Sequence, residues 1–186
     1  MSFQFDPATH TYTLGGRRLF SVTEILDFHG FISEFSKDEE RAHIGQAAHL
    51  ACQLDDEHDL MEGSIHSVIR PYLDAWRLFK AESAFIPEQI ETPLYLEDLG
   101  FAGTPDRLGV GFKNKKLLVD IKTGSKQKYW GFQLAGYCIL APGRIPYVVQ
   151  LMPDGRYKCH SYLATIVEDM AVFQAALTIT RVKEGM

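Results

Sequence analysis

The sequence predicts an α/β fold in which a mixed β-sheet is flanked by helices, and three observations support this prediction. The chain has 186 residues, of which 46% are hydrophobic and 23% are charged, as expected for one compact domain with a full core. Stretches with helical spacing lie on both sides of a central group of short alternating stretches. No repeat, linker or low-complexity segment divides the sequence. We therefore expect a single domain over residues 1–186.

The first expected element is a β-hairpin followed by a helix. In FDPATHTYTLGGRRLF, apolar and polar residues alternate around LGG, which is typical of two strands joined by a glycine turn. A short helix should follow, because Ser21 and Glu24 have the spacing of a capping box. Ser36 and Glu39 repeat this spacing before a longer helix.

The longer helix carries a polar side chain on a face of small residues. In SKDEERAHIGQAAHLACQL, Gly45, His49 and Cys52 stand at i, i+4 and i+7, so they share one face, with Ala48 beside them. An imidazole on such a face is either a site residue or a core histidine that is hydrogen-bonded to backbone. The helix pattern leaves both interpretations open.

The middle of the chain predicts one more helix and then strands. After the polar connection DDEHDLMEG, helical spacing resumes in SIHSVIRPYLDAWRLFKAES. Pro71 either kinks this helix or marks its true first turn. From Phe85 to Ile121 the pattern changes to short alternating runs, which we interpret as three mostly antiparallel strands.

The carboxyl-terminal third returns to helices around one strand pair. KYWGFQLAGYCILA is a predicted helix that ends at Pro142. PYVVQLMPDGRYKCHSYL predicts a strand, a turn at PDG and another strand. A last helix is expected from about Ala164 to Val182.

One predicted strand carries charge where apolar residues are expected. In LLVDIKTG, Asp120 and Lys122 lie two positions apart, so their side chains share one face of the strand. An antiparallel hairpin over residues 106–122 would bring Asp106 beside this pair. A magnesium ion takes about six oxygen ligands, and the backbone carbonyl of Ile121 can face the same ion. Two carboxylates and an ammonium in one place suit metal-assisted phosphodiester hydrolysis.

The charged pair also has a structural interpretation. Asp120 and Lys122 can form an ion pair on an exposed edge strand, which is the usual situation of such pairs. The segment GTPDR, which contains Asp106, can be a proline-containing turn with no chemical role.

Net charge, cysteines and hydropathy restrict the class of protein. The net charge of −5 argues against a partner as anionic as nucleic acid, but bound divalent cations would restore positive charge where carboxylates gather. The three cysteines are widely spaced and match no zinc pattern, so we expect buried thiols. No apolar run of about 18 residues and no secretion-signal order is present, which predicts a cytoplasmic protein with no membrane partner.

The ordered motifs resemble a known family. GTPD followed by VDIKTG resembles the PD-(D/E)XK nuclease superfamily, with Asp106 and Asp120 as the two acids and Lys122 as the motif lysine. QLAGY, which contains Gln133 and Tyr137, is similar to the Q-x-x-x-Y helix of the RecB-like branch, which includes phage exonucleases. GQAAH resembles the G-x-x-x-H motif of that branch, and YTLGGRRLFSVTEIL resembles the start of phage-type members.

The resemblance implies a fold, an activity and a set of site residues. It implies a restriction-endonuclease-like core with a central mixed β-sheet flanked by helices. It also implies a deoxyribonuclease that uses one or two Mg²⁺ or Mn²⁺ ions, with an exonuclease as the preferred mode. The resemblance further implies that His49 is an additional metal ligand and that Glu91 has a supporting role. Residues expected to contact DNA or support its binding are Gln133, Tyr137, Arg107, Thr123, Lys126 and Lys128.

The sequence departs from some members of the family. Three scattered cysteines do not supply the four ligands of the iron–sulfur cluster found in some RecB-like nucleases, so we expect no cluster. The chain has no G-x-x-x-x-G-K-[ST] loop, so any unwinding must come from a helicase partner. The resemblance to phage-type systems implies DNA recombination, DNA repair or phage DNA processing, with a single-strand annealing protein as another partner. The oligomeric state stays open.

Other functions remain open on the same residues. A structure-specific or nicking endonuclease uses the same core as an exonuclease. A non-catalytic DNA-binding or scaffold protein could keep the fold without the chemistry, although all three motif residues are present. A metal hydrolase acting on another phosphoester is a further possibility. Tyr137 can also be a core aromatic residue packed between helix and sheet.

Overall fold

The structure, a computed structural model, describes residues 1–32 and 39–184, without the side chain of Glu39. Within these ranges the helices are α1 (Val22–Phe28), α2 (Glu39–Asp56), α3 (Arg70–Ser83), α4 (Tyr129–Leu140) and α5 (Ile166–Lys183), with a short 3₁₀ helix at Glu62–Ser64. The strands are β1 (Phe3–Asp6), β2 (Thr11–Leu14), β3 (Arg17–Ser21), β4 (Ile86–Ile90), β5 (Leu94–Leu96), β6 (Phe101–Gly103), β7 (Arg107–Gly111), β8 (Lys115–Lys122), β9 (Ile145–Leu151) and β10 (Tyr157–Ser161).

The described strands form two mixed sheets of five strands each. Their orders are β1-β2-β3-β6-β5 and β10-β9-β8-β7-β4. Each sheet contains one parallel pair, β3 with β6 and β8 with β9, while the remaining pairs are antiparallel. The predicted α/β fold with mixed sheet and flanking helices is confirmed, and its strands are divided between two sheets.

The predicted start of the chain is confirmed where the structure describes it. Gly15 and Gly16 join β2 to β3 with φ of +58° and +83°, a backbone conformation that glycine adopts without steric cost. The side chain of Ser21 accepts a hydrogen bond from the backbone of Glu24, and the Glu24 carboxylate accepts one from the backbone of Ser21. The second predicted capping box depends on Ser36, which lies outside the described residues.

Two boundaries differ from the sequence prediction. The helix predicted from about residue 64 begins at Arg70, with Pro71 in its first turn, because a proline there loses no intrahelical hydrogen bond. The segment 85–121 contains five strands or parts of strands instead of three. The first predicted run, residues 85–98, contains both β4 and β5, because Glu91 leaves the extended conformation with a φ of +43°. The second run, residues 100–110, contains β6 and the start of β7, which are separated by residues 104–106.

Apolar residues on the two faces of β8 form separate core clusters. Leu118 shares a cluster with Leu134 of α4 and Phe173 of α5. Val119 belongs to the opposite cluster, together with Trp76 of α3. A strand covered on both faces is expected to be continuously apolar, which explains the LLV and I of this segment. Side-chain alternation then places Asp120 and Lys122 on the α4 face.

No helix in the described part of the chain has both the length and the apolar character needed to cross a membrane.

Candidate active site

The candidate site lies where β8 ends and β7 begins. The antiparallel register pairs Arg107 with Val119, so Asp106 stands one position beyond β7, beside the end of β8. There the backbone N–H of Ile121 donates a 2.6 Å hydrogen bond to Asp106 Oδ2. The hairpin therefore brings together two acids that are far apart in sequence, as its geometry predicted.

Asp120 and Lys122 form a largely buried ion pair. Lys122 Nζ lies 2.8 Å from Asp120 Oδ2, and Asp120 is only 1% exposed, so the interpretation as a surface pair is wrong. Burial raises the pKa of Asp120 to about 7, although the Lys122 ammonium acts in the opposite direction. Burial lowers the pKa of Lys122, but the carboxylates of Asp120 and Asp106 outweigh it and raise the pKa above its ordinary value. Lys122 is therefore an ammonium at neutral pH.

His49 reaches the site from α2. Its Nδ1 lies 3.6 Å from Asp106 Oδ2, and its side chain is 30% exposed. Burial lowers the pKa of His49, although the Asp106 carboxylate and a hydrogen bond to the Ile121 backbone raise it. A neutral imidazole is the form that binds metal ions. Strand geometry directs the N–H and carbonyl of Ile121 toward the same neighbour, which puts this carbonyl beside His49 and Asp106.

Gly45 lets α2 approach the end of β8. One helical turn before His49, its Cα faces the side chain of Thr123, and a Cβ on residue 45 would lie 3.3 Å from Thr123 Oγ1. This separation is already tight for a methyl group, so a larger residue would push α2 away. The G-x-x-x-H spacing therefore has a packing reason as well as a chemical one.

Glu91, for which a supporting role was predicted, lies next to Asp106 and His49. Its backbone N–H donates to the carbonyl oxygen of Asp106 at 3.0 Å, and its φ of +43° is unusual for a glutamate. Ligand atoms of His49, Glu91 and Asp106 all lie within 4.8 Å of one another. Burial, followed by repulsion from Asp106, raises the pKa of Glu91 to about 8.

This donor set fits a divalent cation. Two carboxylates and one imidazole within 4.8 Å can surround one ion at ordinary ligand distances, which are about 2.0–2.6 Å. Asp120 is also buried, and the negative charge of Asp106 contributes to its raised pKa. The sequence did not reveal Glu91 as a candidate ligand, because it lies in the turn after β4 and its left-handed backbone is not typical of glutamate.

Gln133 and Tyr137 form a buried pair on α4. Gln133 Nε2 donates to Tyr137 Oη at 3.2 Å, while Gln133 Oε1 is buried without a hydrogen-bond partner among the described residues. Burial and then the negative charges of Asp120 and Asp106 raise the pKa of Tyr137 well above its ordinary value. The Tyr137 ring also packs in the core, with Cε1 2.9 Å from where a Cβ on Gly103 would lie. The structural and site interpretations of Tyr137 are therefore compatible.

Arg107 lies in the protein interior, where it cannot contact a substrate directly. Its side chain has no exposed surface, and its guanidinium is bound by Asp56, Glu91 and the carbonyl of Asp106. The predicted contact of Arg107 with DNA is thus contradicted, because a polyanion in solvent cannot reach it. Thr123 is half-buried, and its Oγ1 faces Gly45 of α2, so its contact with DNA stays a prediction.

Lys126 and Lys128 are exposed and follow the end of β8 by a few residues. They line a hollow of about 290 Å³ together with Tyr162, and Lys126 Nζ lies 5.8 Å from the centre of the Tyr162 ring. Burial raises the pKa of Tyr162 to about 12, and the negative charges of Asp169 and then Asp120 add to the increase. A larger hollow of about 590 Å³ lies on the β1–β2 hairpin and contains none of the predicted site residues.

The chain is similar to known nucleases in sequence and in structure. The PD-(D/E)XK nuclease superfamily matches residues 26–150 of the chain. The alkaline exonuclease LHK-Exo from Laribacter hongkongensis is 16% identical with a TM-score of 0.42, and the match covers 90% of this chain and 92% of that one. LHK-Exo in complex with dAMP is 15% identical, with a TM-score of 0.38 and coverage of 90% and 93%. SSO0001 is 17% identical, with 84% of each chain covered and a TM-score of 0.34. No curated protein matches the chain.

Proposed function

The chain belongs to the PD-(D/E)XK nuclease superfamily, and on this premise we propose that it is a Mg²⁺- or Mn²⁺-dependent deoxyribonuclease that acts as an exonuclease. One observation carries the proposal. Ligand atoms of His49, Glu91 and Asp106 lie within 4.8 Å of one another, next to the buried ion pair of Asp120 and Lys122. Metal-assisted hydrolysis of a phosphodiester needs such acids and such a cation in one place.

The carboxylates and the imidazole would hold the cation. Asp106, Glu91, Asp120 and His49 are the side chains assigned to it, with the carbonyl of Ile121 as a backbone ligand. When bound, a divalent cation polarises the phosphate and lowers the pKa of a water molecule. Because Asp106 is fixed by the backbone of Ile121, its carboxylate needs little reorganisation to act as a ligand.

Lys122 would act through its positive charge. Its raised pKa keeps it protonated at neutral pH, so it cannot serve as the general base in this state. The ammonium can instead orient the attacking water and stabilise negative charge that develops on the phosphate oxygens. Its 2.8 Å contact with Asp120 holds it beside the acids.

DNA would approach over the exposed lysines. Lys126 and Lys128 can contact backbone phosphates, which offsets the net charge of −5 on the chain as a whole. Gln133 and Tyr137 are buried, so we assign them to the inner support of the site, where the unpaired Gln133 Oε1 can still accept a hydrogen bond. A cytoplasmic location and a helicase or annealing partner remain predictions from the sequence.

Digestion of end-labelled linear DNA and covalently closed circles, with Mg²⁺ or Mn²⁺ and with EDTA, tests the proposal. We expect metal-dependent release of nucleotides from linear DNA and little cutting of circles. Cutting of both substrates at comparable rates would instead identify an endonuclease. No cleavage and no Mn²⁺ binding by calorimetry would support a non-catalytic DNA-binding or scaffold protein.

A further inference from the structure

A chain of buried charges leads from the end of α2 to the candidate metal ligands. Asp56, the last residue of α2, has a fully buried carboxylate that accepts a 2.7 Å hydrogen bond from Arg107 Nε. Arg107 Nη1 in turn donates to Glu91 Oε1 at 3.1 Å and to the carbonyl oxygen of Asp106 at 2.6 Å. We propose that Asp56 is a positioning residue that, through Arg107, fixes Glu91 and Asp106 relative to each other for metal binding. The inference rests on the proposed function.

Arg107 and Asp106 together determine the position of Glu91. The carbonyl oxygen of Asp106 accepts hydrogen bonds from both the Arg107 guanidinium and the Glu91 backbone N–H. Glu91 has a φ of +43°, which a non-glycine residue keeps only when the surrounding contacts enforce it. The guanidinium therefore holds the Glu91 carboxylate at a turn that would otherwise relax.

Asp56 in turn determines the orientation of the guanidinium. Its carboxylate accepts hydrogen bonds from Trp76 Nε1 to both oxygens, at 3.0 and 3.1 Å, and from Lys80 Nζ to Oδ1 at 2.6 Å. With Arg107 Nε on Oδ2, each carboxylate oxygen faces two donors. An asparagine at this position would direct its NH₂ group against a donor in either orientation. The site therefore requires a carboxylate and not merely a polar side chain.

The same helix supplies a candidate ligand and its support. Gly45, His49, Cys52 and Asp56 stand at i, i+4, i+7 and i+11, so the helix face predicted from the sequence continues to Asp56. This continuation was the signal available in the sequence, although the partner Arg107 lies 51 residues away. A shift of α2 would therefore move His49 together with Asp56, which supports Glu91 through Arg107.

Stability alone does not account for this arrangement. Replacing a buried ion pair by apolar residues is often neutral or stabilising. The pair of Asp56 and Arg107 is therefore not explained by its contribution to stability alone. Arg107 Nη2 is buried without a hydrogen-bond partner among the described residues, so the guanidinium is not placed to satisfy all its donors. Its satisfied donors are those that connect Asp56 with the two candidate ligands.

Asp55→Asn provides a matched control for Asp56→Asn. Asp55 is the adjacent acid in the same network, and its carboxylate binds Arg77 and Lys80 but not Arg107. Both substitutions remove one negative charge and keep the side-chain shape. Both should lower the melting temperature, whereas only Asp56→Asn should loosen the candidate ligands.

The decisive measurement is Mn²⁺ binding to the metal-free full-length protein by calorimetry. We expect Asp56→Asn to weaken affinity by about 10- to 100-fold, the usual effect of removing a residue that orients metal ligands, and Asp55→Asn to leave it within about twofold. Arg107→Lys keeps the charge but loses the two-donor geometry, so it should weaken affinity similarly and serves if Asp56→Asn does not fold. In DNA cleavage, Asp56→Asn and Arg107→Lys should each lower kcat with little change in KM.

Two outcomes separate this inference from the proposed function. If the unaltered protein binds Mn²⁺ and Asp56→Asn or Arg107→Lys binds it equally well, the positioning role is refuted while the nuclease proposal stands. Equal losses of affinity in Asp55→Asn and Asp56→Asn would also refute it, because they would indicate general destabilisation. If the unaltered protein binds no Mn²⁺, the metal-dependent function itself fails.

Discussion

The molecule has two charged regions near the candidate site, and they differ in burial. Asp106 and Asp120 are buried and Lys122 is largely buried, whereas Lys126 and Lys128, only a few residues later, are exposed. Interior charges interact strongly and are held by specific hydrogen bonds, while exposed charges are screened by salt and solvent. The first region should therefore determine catalysis and metal binding, and the second should determine how tightly DNA binds.

The largest effect is expected from the interior pair. Asp120→Asn removes a candidate ligand, and Lys122→Ala removes the ammonium proposed to stabilise developing charge, so each should lower kcat by on the order of 10²- to 10³-fold or more. Cleavage of end-labelled DNA under single-turnover conditions measures this loss. Lys116→Ala, at the exposed opposite end of the same strand, is the control and should keep nearly full activity. Unchanged activity in both site variants would mean that the site is elsewhere.

The next effect concerns pH and the metal-free protein. The raised pKa values of Glu91, about 8, and Asp120, about 7, mean that the folded state binds their protons more tightly than the unfolded state. Stability from these groups is complete below the ordinary carboxyl pKa and is lost as pH rises through 7 to 8. His49 has a lowered pKa, so its contribution is complete above about pH 6.5 and does not oppose the trend in this window.

Melting temperatures in EDTA should therefore fall between pH 6.5 and 8, and Mn²⁺ should stabilise the protein more at pH 8 than at pH 6.5, because the cation replaces protons. Glu91→Gln should flatten the metal-free trend. A melting temperature that rises over this range, or an identical slope in Glu91→Gln, would show that Glu91 does not titrate as the geometry indicates.

A smaller and different effect is expected from the exposed region. The double substitution Lys126→Gln and Lys128→Gln should raise the Kd for DNA, with kcat nearly unchanged. It should also lower the slope of log Kd against log salt concentration by about 1 to 2. Binding measured from 50 to 200 mM salt tests this prediction. Lys115→Gln with Lys116→Gln makes the same charge change at the far end of β8. An equal effect of both pairs would indicate overall charge and not a local contact.

The same division between regions explains what the sequence could predict. The hairpin that joins Asp106 to Asp120, the face shared by Gly45 and His49, and the Ser21 cap follow from local periodicity, which a single sequence displays directly. The α/β fold was predicted from the order of these elements. The division into two sheets was not, because pairing of β3 with β6 joins residues about 80 positions apart.

The missed features depend on tertiary contacts. Arg107 was expected to reach DNA because it follows Asp106 in a basic surrounding, but the carboxylate that buries it comes from the end of α2. Glu91 was assigned a supporting role from the family resemblance, and nothing local indicates its left-handed backbone or its approach to His49. Burial of a charged side chain is decided by partners distant in sequence, so spacing alone did not reveal the contacts of either residue.

The smallest effect is expected from Gly45→Ala, which probes how closely α2 must approach the interior region. The new methyl group would lie 3.3 Å from Thr123 Oγ1, so α2 should shift by a few tenths of an ångström and carry His49 with it. Alanine favours the helix by about 0.5–1 kcal/mol relative to glycine, so the melting temperature should stay level or rise while Mn²⁺ affinity falls a few-fold. Thr123→Ala in the same chain removes the opposing oxygen and should restore affinity, as a double-mutant cycle would measure. If the single variant keeps full affinity, contact between α2 and β8 does not determine the position of His49.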